Sequence, residues 1–446
     1  MTMKLWDKGI TVDKKIEQFT IGKDRQLDPL LARWDILGSL AHITMLESIG
    51  LLEKAELTAL QKELKALYRT VESTGDFPIE EGVEDVHSQI ELMLTRALGD
   101  MGKKIHSGRS RNDQVLVDLK LFFRNEISEL TERVSRLFNS LITLSEKHKE
   151  VLMPGYTHMQ VAMPSSFGLW FGAYAEGLSD DLHLLQAAYR VCNQNPLGSA
   201  AGYGSSFPLD RAMTTRLLGF EDLSYNVVYA QMGRGKTEKA LAFAMSSIAG
   251  TLARFAMDIC LYIGQNFRFI SFPKELTTGS SIMPHKNNPD VFELMRAKCN
   301  RVQALPNTLG MVLTNLPAGY HRDLQLLKED LFPALEDLKD CLDIFDYAIN
   351  RVEVNKDILE SDLYDYLFSV EEVNREVLEG VPFRDAYKKV GERIQSGQFK
   401  PDKKVRHSHE GSIGNLCNEN IRIKFEKNKG LMDFGKVEEA LAKLVK

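Results

Sequence analysis

The stretch LTERVSRLFNSLITL, residues 130–144, carries the residue pattern that decides the fold. Its apolar residues recur at steps of three and four, at Leu130, Val134, Leu137, Leu141 and Leu144. On an α-helix this spacing places them in one narrow stripe, the arrangement found in helix bundles. The stretch therefore predicts a long helix whose apolar side packs against other helices.

Four further segments with the same helical period follow along the chain. The first of them begins near Pro164, a residue suited to the first turn of a helix, and continues to Tyr189. The others span about 237–267, 290–313 and 323–352. Helices of roughly 30 residues are about 45 Å long, and their apolar residues here occupy more than one side. We therefore predict that the five helices form the core of an oligomer.

The chain on either side of the long segments is broken into shorter helical pieces. Residues 1–104 hold short amphipathic helices around the turn-rich STGDFP at 73–78, and residues 353–446 include a tail rich in His, Gly and Asn. Almost no segment shows the alternation typical of strands. The sequence thus predicts an all-α subunit of three domains, at 1–104, 105–352 and 353–446, with the central bundle in the second.

The composition is that of an ordinary globular protein. Its 446 residues are 43% hydrophobic, and 56 Lys and Arg against 62 Asp and Glu give a net charge of −6, with both signs interspersed. This balance argues against nucleic acid or an anionic membrane as a partner. The charged start, MTMKLWDKGITVDKK, does not resemble a secretory signal, which favours the cytoplasm. The five cysteines never form a C-x-x-C pair, so we expect reduced thiols rather than disulfides or a zinc site.

Most of the unusual polar residues lie in four connections between the helices. These are HSGRSRND at 106–113, GYTHMQ at 155–160, NPLGSAAGYGSS at 195–206 and TTGSSIMPHKNNPD at 277–290. Loops on a rigid scaffold are where binding and catalytic residues usually lie. The alternative is a helical rod without an active site. A further stretch, GRGKTEK at 233–239, lacks the preceding strand and first glycine of a phosphate-binding loop, so we predict that Lys236 and Thr237 begin a helix.

The segment 277–290 combines hydroxyls, amides, a lysine and a histidine directly before a helix. Such a loop could close over a small anion, with Ser280 transferring a proton and Lys286 balancing the negative charge that develops. In the alternative interpretation it is a solvated loop in which Asn288 and Asp290 cap the next helix. Capping explains the Asn and Asp but not the SSIMPHK run, so the segment alone leaves both interpretations open.

Two other connections contain candidate binding and proton-transfer groups. Arg109 and Arg111 stand at the entry to the first long helix, where paired guanidinium groups and free N–H groups favour a carboxylate. The alternative there is an N-cap by Asn112 or Asp113. In GYTHMQ, His158 could act as an acid or base near neutral pH, although a lone histidine is more often structural.

Several longer stretches resemble the argininosuccinate lyase family of the fumarase/aspartase superfamily, from about residue 28 to about 392. They are LDPLLARWDILGSLAH, EDVHSQIE, IHSGRSRNDQV, MPGYTHMQVAMP, NPLGSAAGYG, GSSIMPHKNNPD, AGYHRDLQLLKED and VPFRDAYKKVG. The Ser-Ser-x-Met-Pro-x-Lys-x-Asn run is specific to the superfamily. GRSRNDQV and GYTHMQ together are typical of the argininosuccinate branch, whose fold is also that of lens delta-crystallin.

The resemblance implies a homotetramer whose active sites take loops from three subunits, and a reversible β-elimination of argininosuccinate to arginine and fumarate. It implies that Ser280 is the base that removes the proton beta to the departing nitrogen, and that Lys286 stabilises the resulting aci-carboxylate. It also implies that His158, paired with Glu293, protonates the guanidino leaving group. No cofactor and no metal ion are implied.

The same resemblance assigns further residues to the binding of the substrate. By motif position they are Arg111, Asn112, Thr157, Asn288, Tyr320, Gln325 and Lys328. Three segments depart from the family pattern: WDKGI replaces Trp-Gly-Gly-Arg-Phe, TIGKD at 20–24 replaces Asn-Ala-Ser, and MGRG at 232–235 keeps only Arg234 of Ser-Asp-Arg-Asp. The family also usually has Gln and Lys at His285 and Asn287. The altered segments at 20–24 and 232–235 leave open how the arginine end is held, and they suggest that a variant amino-acid group is accepted there.

Three alternatives to this function stay open on the sequence. Pro-His-Lys at 284–286 is similar to the adenylosuccinate lyase branch, although GRSRNDQV argues against a purine substrate. A lyase for a modified argininosuccinate is the second. A non-catalytic, crystallin-like structural protein is the third, and the presence of Ser280, Lys286 and His158 argues against it.

Overall fold

The structure is a computed structural model that describes residues 13–446. The segment WDKGI at 6–10 lies outside the described residues. Within them the chain is helical apart from short two-stranded pairings, so the prediction of an all-α fold is confirmed.

The elements are numbered in chain order. The α-helices are α1 (Lys14–Ile21), α2 (Asp24–Leu27), α3 (Ala32–Ser48), α4 (Lys54–Thr74), α5 (Val86–Leu98), α6 (Asp100–Lys103), α7 (Arg111–Lys147), α8 (Phe167–Cys192), α9 (Arg211–Leu217), α10 (Val227–Met232), α11 (Lys236–Ile263), α12 (Asp290–Val312), α13 (Leu327–Ile349), α14 (Ser369–Leu378), α15 (Phe383–Gln395), α16 (Asn418–Lys429) and α17 (Phe434–Val445). Short 3-10 helices span Asp28–Leu31, Lys104–His106, Lys274–Leu276, Arg322–Leu326, Ile358–Glu360 and Asp362–Phe368. The strands are β1 (Leu152–Thr157), β2 (Gln160–Ser166), β3 (Gln194–Asn195), β4 (Asp222–Leu223), β5 (Ile270–Ser271), β6 (Thr278–Gly279), β7 (Asn287–Asn288) and β8 (Glu353–Val354).

Five long helices, α7, α8, α11, α12 and α13, form the central bundle. Helix α11 packs against α8, α12 and α13, and α7 packs against α8 and α13. Leu130, Val134 and Leu137 of the stripe that predicted α7 are fully buried, because they face the other helices of the bundle. The predicted set of five long helices is therefore confirmed, with ends that differ from the prediction by several residues.

The start of α8 and the cap of α7 differ from what the sequence predicted. Pro164 does not open a helix: it lies in β2, and α8 begins at Phe167 behind the Ser166 side chain, which accepts from the Leu169 N–H. Ser110, rather than Asn112 or Asp113, is the N-cap of α7. Its capping box leaves the side chain of Asn112 available for other contacts.

Helix α11 contains the most apolar stretch of the chain. It begins at Lys236, as predicted, and Leu241, Met245 and Leu252 are buried in the core. By length and composition this one helix of the described residues could span a membrane, but 56% of its most apolar window is buried inside the fold. Core helices of globular proteins pass the same test, so α11 fits the bundle helix that the sequence predicts for about 237–267.

The flanking regions pack against the bundle at different places. Helix α3 packs against α4 and α7, while α14 and α15 form a small cluster of their own around Val373 and Val390. The last two helices return along the molecule, α16 onto α8 and α17 onto α3. The domain limits at 104 and 352 stay a prediction. All five cysteines are free thiols in this structure.

Candidate active site

A cavity of about 240 Å³ lies at the end of the bundle where α7 begins. It is lined by five of the residues predicted to bind substrate: Arg111, Asn112, Tyr320, Gln325 and Lys328. They come from the first turn of α7 and from the segment between α12 and α13. The structure thus brings together residues that lie about two hundred positions apart in the sequence.

Three of these residues are held by contacts with other parts of the chain. Arg111 Nη1 donates to Glu84 Oε2 and Asp85 Oδ2, each at 3.0 Å. Gln325 Nε2 donates to the carbonyl of Ile21 at 2.8 Å. Burial lowers the pKa of Lys328, but the carboxylates of Asp28 and Asp24 outweigh that effect and raise it above the usual value. Lys328 is therefore a fixed positive charge in the cavity wall.

Sequence reasoning assigned no role to several charged residues that also line the cavity. They are Asp24, Asp28, Glu84, Asp85, His87, Arg234 and Arg322. Most of them lie inside the stretches that carry the family resemblance. The density of charged residues in those stretches was the sequence feature that could have indicated their place in the cavity. Charged residues without a predicted role therefore form much of the cavity wall.

Thr157 and His158 lie at the other end of α7, in the hairpin of β1 and β2. Thr157 pairs with Gln160, so His158 and Met159 form a two-residue turn. Both have positive φ angles, +53° and +60°, as a type I′ turn requires. This backbone is strained for residues other than glycine, and strain of this kind is typical of functional sites. The exposed His158 is thus held at the tip of a tight turn.

Ser280 and Lys286 lie in a loop closed by β6 and β7, in which Thr278 pairs with Asn288 and Gly279 pairs with Asn287. The Ser280 Oγ atom accepts hydrogen bonds from the N–H groups of Met283, at 3.1 Å, and Ile282, at 3.4 Å. Helix α12 begins at Asp290 with Pro289 at its N-cap. Asn288 therefore does not cap the helix, contrary to the alternative interpretation of this segment as a solvated capping loop. The loop is therefore an ordered hairpin with exposed polar side chains.

Glu293 is exposed in the first turn of α12 and forms no ion pair with His158 among the described residues of this one chain. None of Ser280, Lys286, Asn288, Glu293, Thr157 and His158 lines the cavity that holds Asn112 and Lys328. Within one chain, the predicted site residues thus fall into two separate groups.

A buried cluster lies behind the cavity wall. His87 Nδ1 contacts Asp35 Oδ2 directly and lies 3.4 Å from Asp118 Oδ2. Burial and the neighbouring Asp35 raise the pKa of Asp118 well above its usual value, which favours the neutral form of this carboxyl. The three residues would suit a metal ion by type, but the direct contact between His87 and Asp35 leaves no space between these two atoms for one. The cluster instead supports the His87 ring at the cavity wall.

The chain is similar over most or all of its length to several known proteins. A family model described as lyase matches residues 4–304. The argininosuccinate lyase of Parabacteroides distasonis is 63% identical over 445 residues, which cover 100% of both chains. EDDS lyase in complex with formate has a TM-score of 0.79 at 20% identity and covers 98% of this chain and 94% of its own. A fumarate lyase:delta crystallin from Brucella melitensis bound to cobalt has a TM-score of 0.71 at 17% identity, covering 90% of this chain and 91% of its own.

The two structural similarities show only the shared fold. The full-length sequence identity also shows the family. The aligned region covers the cavity residues and the two loops at the far end of the bundle. The chain belongs to the argininosuccinate lyase family of the fumarase/aspartase superfamily.

Proposed function

We propose that this chain is a carbon–nitrogen lyase that splits argininosuccinate into arginine and fumarate, in a homotetramer with sites shared between subunits. The observation that carries the proposal is the separation of complementary groups. Binding residues such as Asn112 and Lys328 line a charged cavity at one end of the bundle, and proton-transfer candidates are exposed on loops at the other. A neighbouring subunit is needed to bring the two groups together.

The distances along the helices support a site that is shared between chains. Helix α7 has 37 residues and separates Asn112 from the hairpin that holds His158. Helix α12 has 23 residues and separates Asn288 from Tyr320. At a rise of 1.5 Å per residue these helices are about 55 Å and about 35 Å long. Both lengths far exceed the reach of a side chain.

The outer surface of the bundle supports association with other copies of the chain. Phe243 and Met257 on α11, and Leu294 and Met311 on α12, are half-exposed or more exposed large apolar side chains. Exposed apolar residues on several neighbouring helices are typical of a subunit interface. The tetrameric state itself rests on the family resemblance.

The proposed elimination follows from the chemistry of the groups. Ser280, ionised to its alkoxide, takes the proton from the carbon beta to the departing nitrogen and becomes a neutral hydroxyl. The C–H electron pair becomes the new C=C bond, and the C–N electron pair leaves with the nitrogen. The N–H groups of Ile282 and Met283 stabilise negative charge on Ser280 Oγ. Lys286 stabilises the negative charge of the aci-carboxylate. His158, with Glu293 from the assembled site, gives a proton to the leaving nitrogen. The substrate is a small molecule and the proposed location is the cytoplasm.

The direct test measures fumarate formation by purified full-length protein with argininosuccinate and, in parallel, with adenylosuccinate. We expect turnover of argininosuccinate alone. Turnover of adenylosuccinate alone would assign the chain to the purine branch. A stable oligomer with no turnover of either substrate would support the crystallin-like alternative and contradict the proposal.

A further inference from the structure

The loop 195–206, NPLGSAAGYGSS, is the polar connection between helices to which the proposed reaction assigns no role. It contacts the beginning of α7, where the backbone N–H groups of Gly198 and Ala200 donate to Asp113 Oδ2 at 2.9 Å each. Ala200 has a φ angle of +51°, a backbone conformation that is strained for residues other than glycine. The loop is therefore held in a strained conformation against the first turn of α7.

Side chains from two further helices also hold this loop. Arg211 of α9 donates from Nε to the carbonyl of Leu197 at 2.9 Å, and Gln231 of α10 donates from Nε2 to Ser199 Oγ at 2.9 Å. Leu197 and Ser199 are both buried. A loop that has buried residues and side-chain anchors from three helices is not built to open and close as a lid does. Its fixed position suits the support of neighbouring residues.

Asp113 joins the loop to a residue that lines the cavity. Its Oδ1 atom accepts from the Ser110 N–H at 2.9 Å, in the capping box that encloses Arg111 and Asn112. Asn112 lines the cavity, whereas Asp113 is completely buried and does not. One carboxylate thus connects the loop, through the backbone of this turn, with a residue that is predicted to bind substrate.

No cation contacts the Asp113 carboxylate directly among the described residues; its partners are three backbone N–H groups. Arg109 and Arg211 act on it from a longer distance, and the loop 195–206 contains no charged residue. Burial raises the pKa of Asp113 to about 6, although the N–H groups oppose this effect. The ionised carboxylate therefore costs the fold free energy at neutral pH, which is typical of groups that serve function rather than stability.

We propose that Asp113 is a positioning residue, which fixes the loop 195–206 against α7 and thereby holds Asn112 in the orientation that binds substrate. This inference rests on the proposed function and deepens it, because it gives the loop a part in the same site. Asp113 acts through Asn112, since it does not line the cavity itself. Each of the three N–H groups needs an acceptor, and only the ionised carboxylate presents acceptors without a competing donor.

The contact between Asp113 and the loop is tested by hydrogen exchange of backbone amides, measured by mass spectrometry on the full-length oligomer. In Asp113→Asn one oxygen is replaced by an NH2 group, which cannot accept from an N–H. We expect the peptide that contains Gly198 and Ala200 to exchange at least about tenfold faster than in the wild type. Asp210→Asn is the control, because Asp210 caps α9 next to the same loop and accepts from the Met213 N–H. It should leave this exchange unchanged.

The positioning is tested by the coupling between Asp113 and Asn112. The dissociation constant of argininosuccinate is measured by calorimetry in the Ser280→Ala background, in which the proposed base is absent. Asn112→Ala and Asp113→Asn should each weaken binding about tenfold, and the double variant should bind at most about threefold more weakly than the single variant with the lower affinity. A merely structural role of Asp113 would give additive losses.

A second comparison applies if Asp113→Asn does not fold. Lowering the pH from about 7 to about 5 protonates Asp113 without any change in the sequence, because its pKa lies at about 6. The affinity for argininosuccinate should then fall in the protein that has Asn112, and it should fall much less in Asn112→Ala. An equal fall in both proteins would assign the effect to another group and overturn the positioning.

The outcomes separate this inference from the proposed function. If argininosuccinate is turned over but the losses are additive, or the loop of Asp113→Asn exchanges as in the wild type, the role of Asp113 is overturned and the lyase activity stands. If Asp113 and Asn112 are coupled in binding but the wild type shows no turnover, the positioning holds and the proposed activity fails. Absence of argininosuccinate binding contradicts the positioning.

Discussion

Asn112 and His158 lie at opposite ends of α7, one in its first turn and the other in the hairpin that follows its last turn. The 37 residues of this helix separate them by about 55 Å. A site that used both residues would therefore have to combine two chains. Every prediction about catalysis below assumes a site assembled from several chains.

Removal of the Ser280 hydroxyl should slow the chemical step far more than it weakens binding. We expect Ser280→Ala to lower kcat by about 100-fold or more with a KM within a few-fold of wild type, because a base acts in the transition state. Steady-state kinetics of fumarate release measure both constants. Ser271→Ala, an exposed hydroxyl that bonds Glu353, is the control. Near-normal kcat in Ser280→Ala would remove it from the role of base.

His158→Asn and Glu293→Gln should each slow C–N cleavage without adding fully to one another. When two residues serve one proton transfer, removal of either one abolishes most of the rate gain that both provide. The double variant should therefore be little slower than the slower single variant. A double-mutant cycle in kcat/KM measures the coupling. Such coupling would show that the two residues serve the same proton transfer. Full additivity would mean that they act independently.

Replacement of each of the two carboxyl groups by an amide should affect the stability of the buried cluster differently. The pKa of Asp118 is raised well above its usual value, so the neutral amide of Asp118→Asn should change the free energy of unfolding by less than about 1 kcal/mol. Asp35→Asn should cost about 3–5 kcal/mol, because the His87 ring loses its anionic partner. Denaturant unfolding at one protein concentration compares the variants. Equal losses in both would contradict the opposite pKa shifts of the two carboxyl groups.

The long helices could be predicted from the sequence because their signal is local. The stripe from Leu130 to Leu144 repeats within each turn of one helix, and no other part of the chain is needed to interpret it. The ends of the helices are harder to predict, because contacts with other parts of the chain decide where a helix begins. Pro164 suits the first turn of a helix, but pairing of β2 with β1 takes that residue and delays α8 to Phe167.

The candidate site was only partly predictable. Motif positions named Lys328 and Gln325, but the contact of Lys328 with Asp24 joins residues 304 positions apart, and no local pattern signals it. The turn at His158 has no glycine or asparagine, the residues that usually announce a type I′ turn. Long-range ion pairs and strained turns depend on the whole fold, so they emerge only with the structure.

The most direct test of the shared site uses two variants that are each inactive or nearly so, Asn112→Ala and His158→Asn. The two proteins are dissociated, mixed in equal amounts and reassembled, and fumarate formation is measured at low substrate concentration. If cavity and hairpin come from different chains, random mixing gives intact sites about one quarter of the time, and activity should approach a quarter of wild type. Mixing His158→Asn with Thr157→Ala, on the same hairpin, should restore none. Proven hetero-oligomers of the first pair with no recovered activity would contradict the shared site.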